Sequence, residues 1–438
     1  MARRQGEPTS QILRQTGSTL CEVVFVIIKP RYKGIICTTA HPVGCHMDVK
    51  QQIEHIRAGG TIDHGPCRVL VIGTSGGYGL ASRVATAFGS GAATVGVFLE
   101  RPSFRDRTAS AGWYRAVSFD KCAQRAGLYA KSLNGDAYAT DVKELAIETI
   151  KSDLGQVDMV IYSLASPVRV MPGTGQVVRS TLKPIGQSFS GYTIDIRTGV
   201  LRSISAEPAS AREIRDTVAV MGGEDWQLWI EALLAADVLA DGCITTNYTY
   251  LGSEVTWPIY HHGTIGKAMQ DLDRAATELG RLLATIGGTA AVIVLKGLLT
   301  GASSAIPGMP LYLSLLFRVM QQKGIHEGCI EQIERLFRTR LFGEGAGKRE
   351  HEGQIRMDDL EMRPDVQEYI KHHWSKVDND NLSDLADLES YRMAFLNLHG
   401  FGFDGVDYTA DVEPVLPNTF LEMTSAVVQP ENLYAKTE

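Results

Sequence analysis

Cysteine is sparse and follows no pairing pattern. Cys21, Cys37, Cys45, Cys67, Cys122, Cys243 and Cys329 are an odd seven, with no CxxC and no zinc-type spacing to histidine. The reading is therefore a reducing compartment and no bound metal. No apolar run reaches the ~18 residues that span a bilayer. The longest, Val23–Ile28 and Ala290–Leu295, suit buried strands, so no membrane insertion is expected. Positive charge is not in excess either: 43 basic against 50 acidic residues leave a net charge of −7. Nucleic acid finds no general attraction in such a chain. Solenoid repeats and low-complexity blocks are missing too. With 44% hydrophobic and 21% charged residues, the composition is that of a globular protein, not a disordered one.

The 438 residues would accommodate two or three lobes. No composition break marks a linker, however, and a single elaborated domain over 26–417 is expected, between an N-terminal extension at 1–25 and a C-terminal tail at 418–438. The extension carries Arg3, Arg4 and Arg14, with Glu7 the only acid before Glu22. Organellar transit peptides share that pattern. A plain extension on a cytoplasmic protein is the expectation, and a mitochondrial leader the alternative.

Within the body, buried-strand patterns alternate with helix-length segments. Strands are read at Arg68–Ile72, Ala93–Leu99, Tyr129–Asn134, Val157–Tyr162, Cys243–Tyr250 and Ala290–Leu295. Helices are read at Leu80–Phe88, Phe119–Ala126, Asp141–Leu154, Glu224–Ala236, Ile265–Ile286 and Pro307–Gly324. Repeated βα units imply an α/β fold with a Rossmann-like, doubly wound parallel sheet. Additional helices and a small β-hairpin elaborate it. Phe342–Gln354, rich in Gly, Glu, Lys and Arg, reads as an exposed connection or hairpin.

Gly73-Thr-Ser-Gly-Gly-Tyr-Gly79 follows the first of these strands and runs straight into a helix. Glycines there let the backbone approach a pyrophosphate and leave helix N-terminal amides free to bind it. About 21 residues on, the second strand ends at Leu99-Glu100, where an acid can accept hydrogen bonds from an adenosine ribose. Glu100 would repel a ribose phosphate, which favours NADH over NADPH. Two later strand ends point to the same crevice: Asn134-Gly-Asp136-Ala137 on the adenine side, and Ser163-Leu164-Ala165. In this order they describe a layout of the extended short-chain dehydrogenase/reductase type.

The sequence resembles the family of FabV-type enoyl-acyl-carrier-protein reductases and trans-2-enoyl-CoA reductases over nearly all of Val26–Val412. The resemblance rests on blocks in one order: Ile36-Cys-Thr-Thr-Ala-His-Pro42, Gly73–Gly79, Gly112-Trp-Tyr114, Ser132-Leu-Asn-Gly-Asp136, Leu182-Lys-Pro-Ile-Gly186, Met221-Gly-Gly-Glu-Asp-Trp226, Trp257-Pro-Ile-Tyr260, His326-Glu-Gly-Cys329 and Gly400-Phe-Gly-Phe-Asp-Gly-Val-Asp-Tyr408. It implies a monomeric enzyme that reduces the C2–C3 double bond of an enoyl-CoA or enoyl-acyl-carrier-protein with NADH, without flavin or metal. Carried over by position, NADH contacts fall on Gly73, Thr74, Ser75, Gly76, Gly77, Tyr78, Leu99, Glu100, Asp136, Ala137, Leu164, Ala165, Met269, Leu298, Leu299 and Thr300. Tyr250 takes the place of the substrate-contacting tyrosine, and Tyr260 that of the catalytic one.

One departure matters. The family places a lysine nine residues after its catalytic tyrosine, where it holds the cofactor ribose and lowers the phenol's pKa. Here that position is Met269. Lys267 is the candidate substitute, although residues two apart on a helix differ by ~200° and Lys267 should face away from Met269. A milder departure is Gly76, where the family has a hydroxyl residue. His261 and His262 read as a capping or surface pair beside Tyr260, and Cys37, His41 and Cys45 as packing. The alternative to a working reductase is a member that binds NADH and an acyl thioester but does different chemistry or none.

Overall fold

The computed structural model describes residues 25–33, 36–105, 107–301, 303, 306–343 and 354–423. The question of a leader at 1–24 lies outside these residues, as does nearly all of the Phe342–Gln354 connection.

Arg68–Ile72 (β1) is almost continuously apolar because both its faces are covered. Val69 and Val71 enter one core, and Leu70 and Ile72 the other, as in a parallel strand flanked by two helix layers. With it, Ala93–Phe98 (β2), Ala130–Asn134 (β3), Val157–Tyr162 (β4), Leu239–Thr249 (β5), Thr289–Val294 (β6), Ile355–Arg356 (β7) and Leu421–Glu422 (β8) form one sheet of 8 strands. Every pairing in it is parallel, and the order is 7-6-5-4-1-2-3-8. Strand order reverses between β1 and β4, so a crevice opens at their carboxyl ends, the position where open α/β sheets take ligands.

The helices are α1 (Pro42–Ala58), α2 (Gly77–Val84), α3 (Ala111–Arg125), α4 (Thr140–Asp153), α5 (Ala211–Met221), α6 (Glu224–Ala235), α7 (Thr264–Leu283), α8 (Met309–Gln322), α9 (Cys329–Leu336), α10 (Pro364–Trp374), α11 (Leu382–Leu385) and α12 (Leu388–Asn397). One face of the sheet buries Val49 and Ile53 of α1, Leu80 of α2, Phe119 of α3 and Ile333 of α9. The other buries Val142 of α4, Trp226 and Trp229 of α6, and Leu272 and Leu279 of α7. A third core, in which α8, α10 and α12 meet, takes in Leu298 and Leu299 from the loop after β6.

Several expectations shift. The helix expected from Phe119 begins at Ala111, because Trp113, Tyr114 and Ala116 are already buried. That expected over Leu80–Phe88 starts at Gly77 and ends in a π turn, Ala85–Gly89. Of the Val23–Ile28 run, Val26 makes only an isolated bridge to Val412. The hairpin elaboration, to which the sequence assigned no position, takes the form of two hairpins between β4 and β5, Val168–Val170 with Val177–Arg179 and Phe189–Asp195 with Val200–Ala206. Residues 418–423, read as tail, supply β8 and join the sheet.

Candidate active site

The glycine turn is dictated by close backbone approach. Gly73 has φ +92°, and a Cβ there would lie 2.1 Å from the Ser163 carbonyl oxygen. At Gly79 a Cβ would lie 1.9 Å from the Gly73 carbonyl oxygen. Any side chain at either position would drive β1, β4 and α2 apart. On the crevice side the turn is open: a Cβ at Gly76 would meet nothing within 4 Å, and one at Gly77 would meet only Thr300 Cγ2, at 3.5 Å. No side chain caps α2, so its N-terminal amides and positive dipole end face this opening. Thr74 Oγ1 is buried in the same turn without a partner. A dinucleotide pyrophosphate fits such a cradle: it supplies the acceptors the amides lack and needs the room that Gly76 and Gly77 leave.

Glu100 stands at the end of β2. Its N–H donates to Asn134 Oδ1 at 2.8 Å, and its carbonyl accepts from Asn134 Nδ2 at 3.0 Å. Burial pushes its carboxyl pKa up, opposed by hydrogen bonds from Ser110 and Ser75 and by Arg115 and Arg101. Gly112 leaves the carboxylate room, since a Cβ there would lie 2.0 Å from Glu100 Oε1. The Asp136-Ala137 turn is anchored from behind. Ala137 O accepts from Lys143 Nζ at 2.8 Å and from Trp229 Nε1 at 3.0 Å, and Lys143 is paired with buried Asp225 at 2.9 Å. Leu164 and Ala165 follow β4, Leu298, Leu299 and Thr300 follow β6, and Thr300 comes over the glycine turn at Gly77. Tyr78 does not present a free hydroxyl: it donates to Lys296 O at 2.8 Å and ties α2 to the end of β6.

Tyr250 follows β5, and its ring centroid lies 5.3 Å from that of Tyr260. Both tyrosines thus sit on the carboxyl edge of the sheet, as the glycine turn does. Tyr260 is buried, its hydroxyl takes no protein hydrogen bond among the described residues, and burial followed by Glu361 pushes its pKa up. Met269 is buried on α7 in one cluster with Tyr260 and Ile265. Lys267 does not substitute for the missing lysine: it is exposed on another face of α7 and donates to Gln270 at 3.0 Å. The apolar stripe of the helix fixes this, since Ile265, Ala268, Met269, Leu272 and Ala275 turn inward together. His261 and His262 pack around Trp257, with ring centroids 5.2 and 5.4 Å from it. His41 caps α1 by accepting from the Gly44 amide at 3.3 Å, and burial pushes the Cys45 thiol up to about 12.

Behind Tyr250 lies a charged network that sequence reasoning missed. Glu361 is fully buried and accepts from Tyr250 at 2.9 Å, Tyr312 at 2.5 Å and the Gly297 amide at 2.6 Å. Lys296 is buried beside it, and burial pulls its ammonium down to about 8 against the pull of Glu361 and Glu327. The only sequence signal was a lysine directly after an apolar strand; Glu361 lies in a loop with no periodic pattern at all.

Three family descriptions tile the chain. Residues 27–105 match the NAD(P)H binding domain of trans-2-enoyl-CoA reductase, 107–342 its catalytic region, and 350–412 an enoyl reductase FAD binding domain. The described part of that last segment contains no strand–glycine turn–helix unit, and Val366, Ile370, Leu382, Tyr391 and Phe395 fill its interior, so it shows no cradle for a flavin. The enoyl-acyl-carrier-protein reductase (NADH) of Edwardsiella ictaluri is 56% identical over 389 residues, 89% of this chain and 98% of that one. The FabV enzyme of Aeromonas salmonicida is also 56% identical, with the same coverage. Among solved structures, the Clostridium acetobutulicum trans-2-enoyl-CoA reductase in complex with NADH superposes with a TM-score of 0.87 at 40% identity, over 90% of this chain and 100% of that one. The Treponema denticola enzyme in complex with NAD gives 0.85 at 45% identity, over 89% and 98%. By sequence and by architecture, this chain belongs to the trans-2-enoyl-CoA reductase family, which includes the NADH-dependent FabV-type enoyl-acyl-carrier-protein reductases.

Proposed function

We propose that the chain reduces the C2–C3 double bond of a trans-2-enoyl thioester, carried on CoA or acyl carrier protein, to the saturated acyl thioester, as a cytoplasmic monomer. One observation carries this reading: the Tyr250–Tyr260 pair, at 5.3 Å, stands on the same sheet edge as the glycine turn and the buried Glu100 carboxylate. NADH, when bound, supplies the hydride that adds at C3. Negative charge then grows on the thioester oxygen. Tyr260, its pKa pushed above the ordinary phenol value, keeps its proton at neutral pH and donates a hydrogen bond to that oxygen, and a proton delivered from solvent to C2 then completes the saturated acyl thioester. Tyr250 packs against it, and its own hydroxyl is committed to Glu361. The buried aliphatic cluster of Met269, Ile265 and their neighbours keeps water from the Tyr260 ring.

Met269 favours a second reading. Among the described residues no cation stands beside Tyr260 to lower its pKa or to take the lysine's place on the cofactor, and Lys267 faces away. Loss of one preorganised electrostatic donor lowers kcat by ~10²–10³. A weakened or binding-only member is therefore the alternative. The deciding experiment follows NADH oxidation with crotonyl-CoA and a longer enoyl-CoA, for the native chain and for Met269→Lys. The reductase reading predicts turnover by the native chain at an enzyme-like rate, to which the variant adds little. Native protein that binds NADH without oxidising it, beside an active variant, would establish the second reading.

A further inference from the structure

Residues 414–423 lie beyond the segments that match the family descriptions, which end at 412. They nevertheless reach the part of the crevice assigned above to the adenosine ribose. Leu421 and Glu422 pair with Leu133 and Asn134 of β3, and the Met423 amide donates to Asn134 O at 3.0 Å. Glu422 Oε2 accepts from Asn134 Nδ2 at 3.0 Å. Phe420 packs edge-on between Phe98 at the end of β2 and Trp113 in the first turn of α3, with centroids 5.1 and 4.8 Å away. Pro414 O accepts from Tyr114, in the same turn, at 2.7 Å.

We infer that this C-terminal strand is a working part of the dinucleotide site, in which Glu422 is a positioning residue that fixes Glu100 through Asn134 and thereby sets the affinity and the preference for NADH over NADPH. The inference rests on the reading of Glu100 as the ribose acceptor.

The argument is one of amide orientation. Asn134 is buried and holds the Glu100 backbone at both ends, Oδ1 accepting from its N–H at 2.8 Å and Nδ2 donating to its carbonyl at 3.0 Å. Its second Nδ2 hydrogen goes to Glu422. A carboxamide nitrogen set between two acceptors cannot flip without turning oxygen against oxygen, so Glu422 locks the orientation that pins Glu100. Two further determinants of the Glu100 carboxylate's place are the hydrogen bond from Ser110 and the room that Gly112 leaves. Both residues sit at the start of α3, the turn that Phe420 and Pro414 hold. Asn134 and the first turn of α3, which carries Gly112 and follows Ser110, are thus both held by the one segment 414–423, whereas Ser75, Arg101 and Arg115 act on the carboxylate independently of it. Glu422 itself is exposed, so its side chain can be changed without opening a core.

The test is a fluorescence titration of the full chain and of Glu422→Ala and Glu422→Gln with NADH, NADPH and ADP-ribose, alongside melting temperatures. In Glu422→Ala, NADH and ADP-ribose weaken together by about three- to tenfold, the worth of one ordinary hydrogen bond, as suits an exposed carboxylate. NADPH weakens less, so the NADH to NADPH ratio falls while the melting temperature holds. Glu422→Gln keeps an acceptor for Asn134 and returns the native values. Glu422→Ala that binds all three ligands as the native chain does, or loses all of them in one proportion along with its melting temperature, overturns the inference and leaves the reductase reading standing. A native chain that binds neither NADH nor ADP-ribose overturns both.

Discussion

At the scale of single residues, the most heavily constrained group is Glu361. Three donors converge on its carboxylate, and Lys296, buried beside it, has its ammonium pKa pulled down to about 8 and so still carries its charge at neutral pH. A buried charge that loses its compensating partner is strongly destabilising. In Glu361→Gln, one carboxamide must meet two phenol donors and the Gly297 amide with only one acceptor atom. Stability should fall by about 2 kcal/mol, the price of an unsatisfied buried group, measured as a shift in denaturant midpoint. Adding Lys296→Met should give a double variant that loses less than the sum of the two single losses, because neither charge is then left alone. With the Tyr250 hydroxyl released, kcat should fall on the order of tenfold at unchanged KM for NADH. Equal falls in kcat and NADH affinity would reduce Glu361 to a structural role.

At the scale of elements, legibility follows from how local the determinant is. β1, β4 and β6 are apolar runs bounded by turn residues, and they stand where their patterns put them, to within a residue. The glycine turn was readable because its requirement is steric and local. The start of α3 was not, because Ala111-Gly-Trp-Tyr carries no helical period of its own and is ordered by Phe420 and Pro414, some 300 residues away in sequence. β8, a two-residue strand, gives no pattern to detect. The face of Lys267 was predictable from helix geometry alone. The partner of Tyr250 was not, since Glu361 and the Gly297 amide that also holds it come from two loops that only the fold brings together. The element-level prediction concerns α3: Gly112→Ala places a methyl where Glu100 Oε1 now lies, 2.0 Å from the added carbon. The carboxylate must then leave its place. NADH affinity should drop by at least tenfold while α3, gaining the better helix former, keeps its stability; titration beside a thermal melt separates the two.

For the whole molecule, two histidines sit where the helical cap meets the sheet layer. His326 packs edge-on to Phe317 of α8 at 4.9 Å, and burial, then Lys296, lowers its pKa to about 3. His399 follows α12, and burial, then Arg115, lowers its pKa to about 4. Arg115 is itself the tie across this seam, donating to Leu398 O at 2.9 Å and Asn397 O at 2.8 Å. Both rings are therefore neutral in the folded chain at pH 5, whereas in the unfolded chain they are protonated below about 6.5. Their stabilising contribution is complete above that value and declines as pH falls toward 4, because the unfolded state takes up protons that the folded state refuses. At ~1.4 kcal/mol per pH unit for each group, the loss by pH 5 is roughly 2 kcal/mol each. The melting temperature should drop between pH 7 and pH 5. His326→Leu combined with His399→Leu should flatten that drop, since a leucine carries no proton in either state. If the double variant declines as steeply as the native chain, the acid sensitivity belongs to other groups and the two rings do not hold the cap to the sheet.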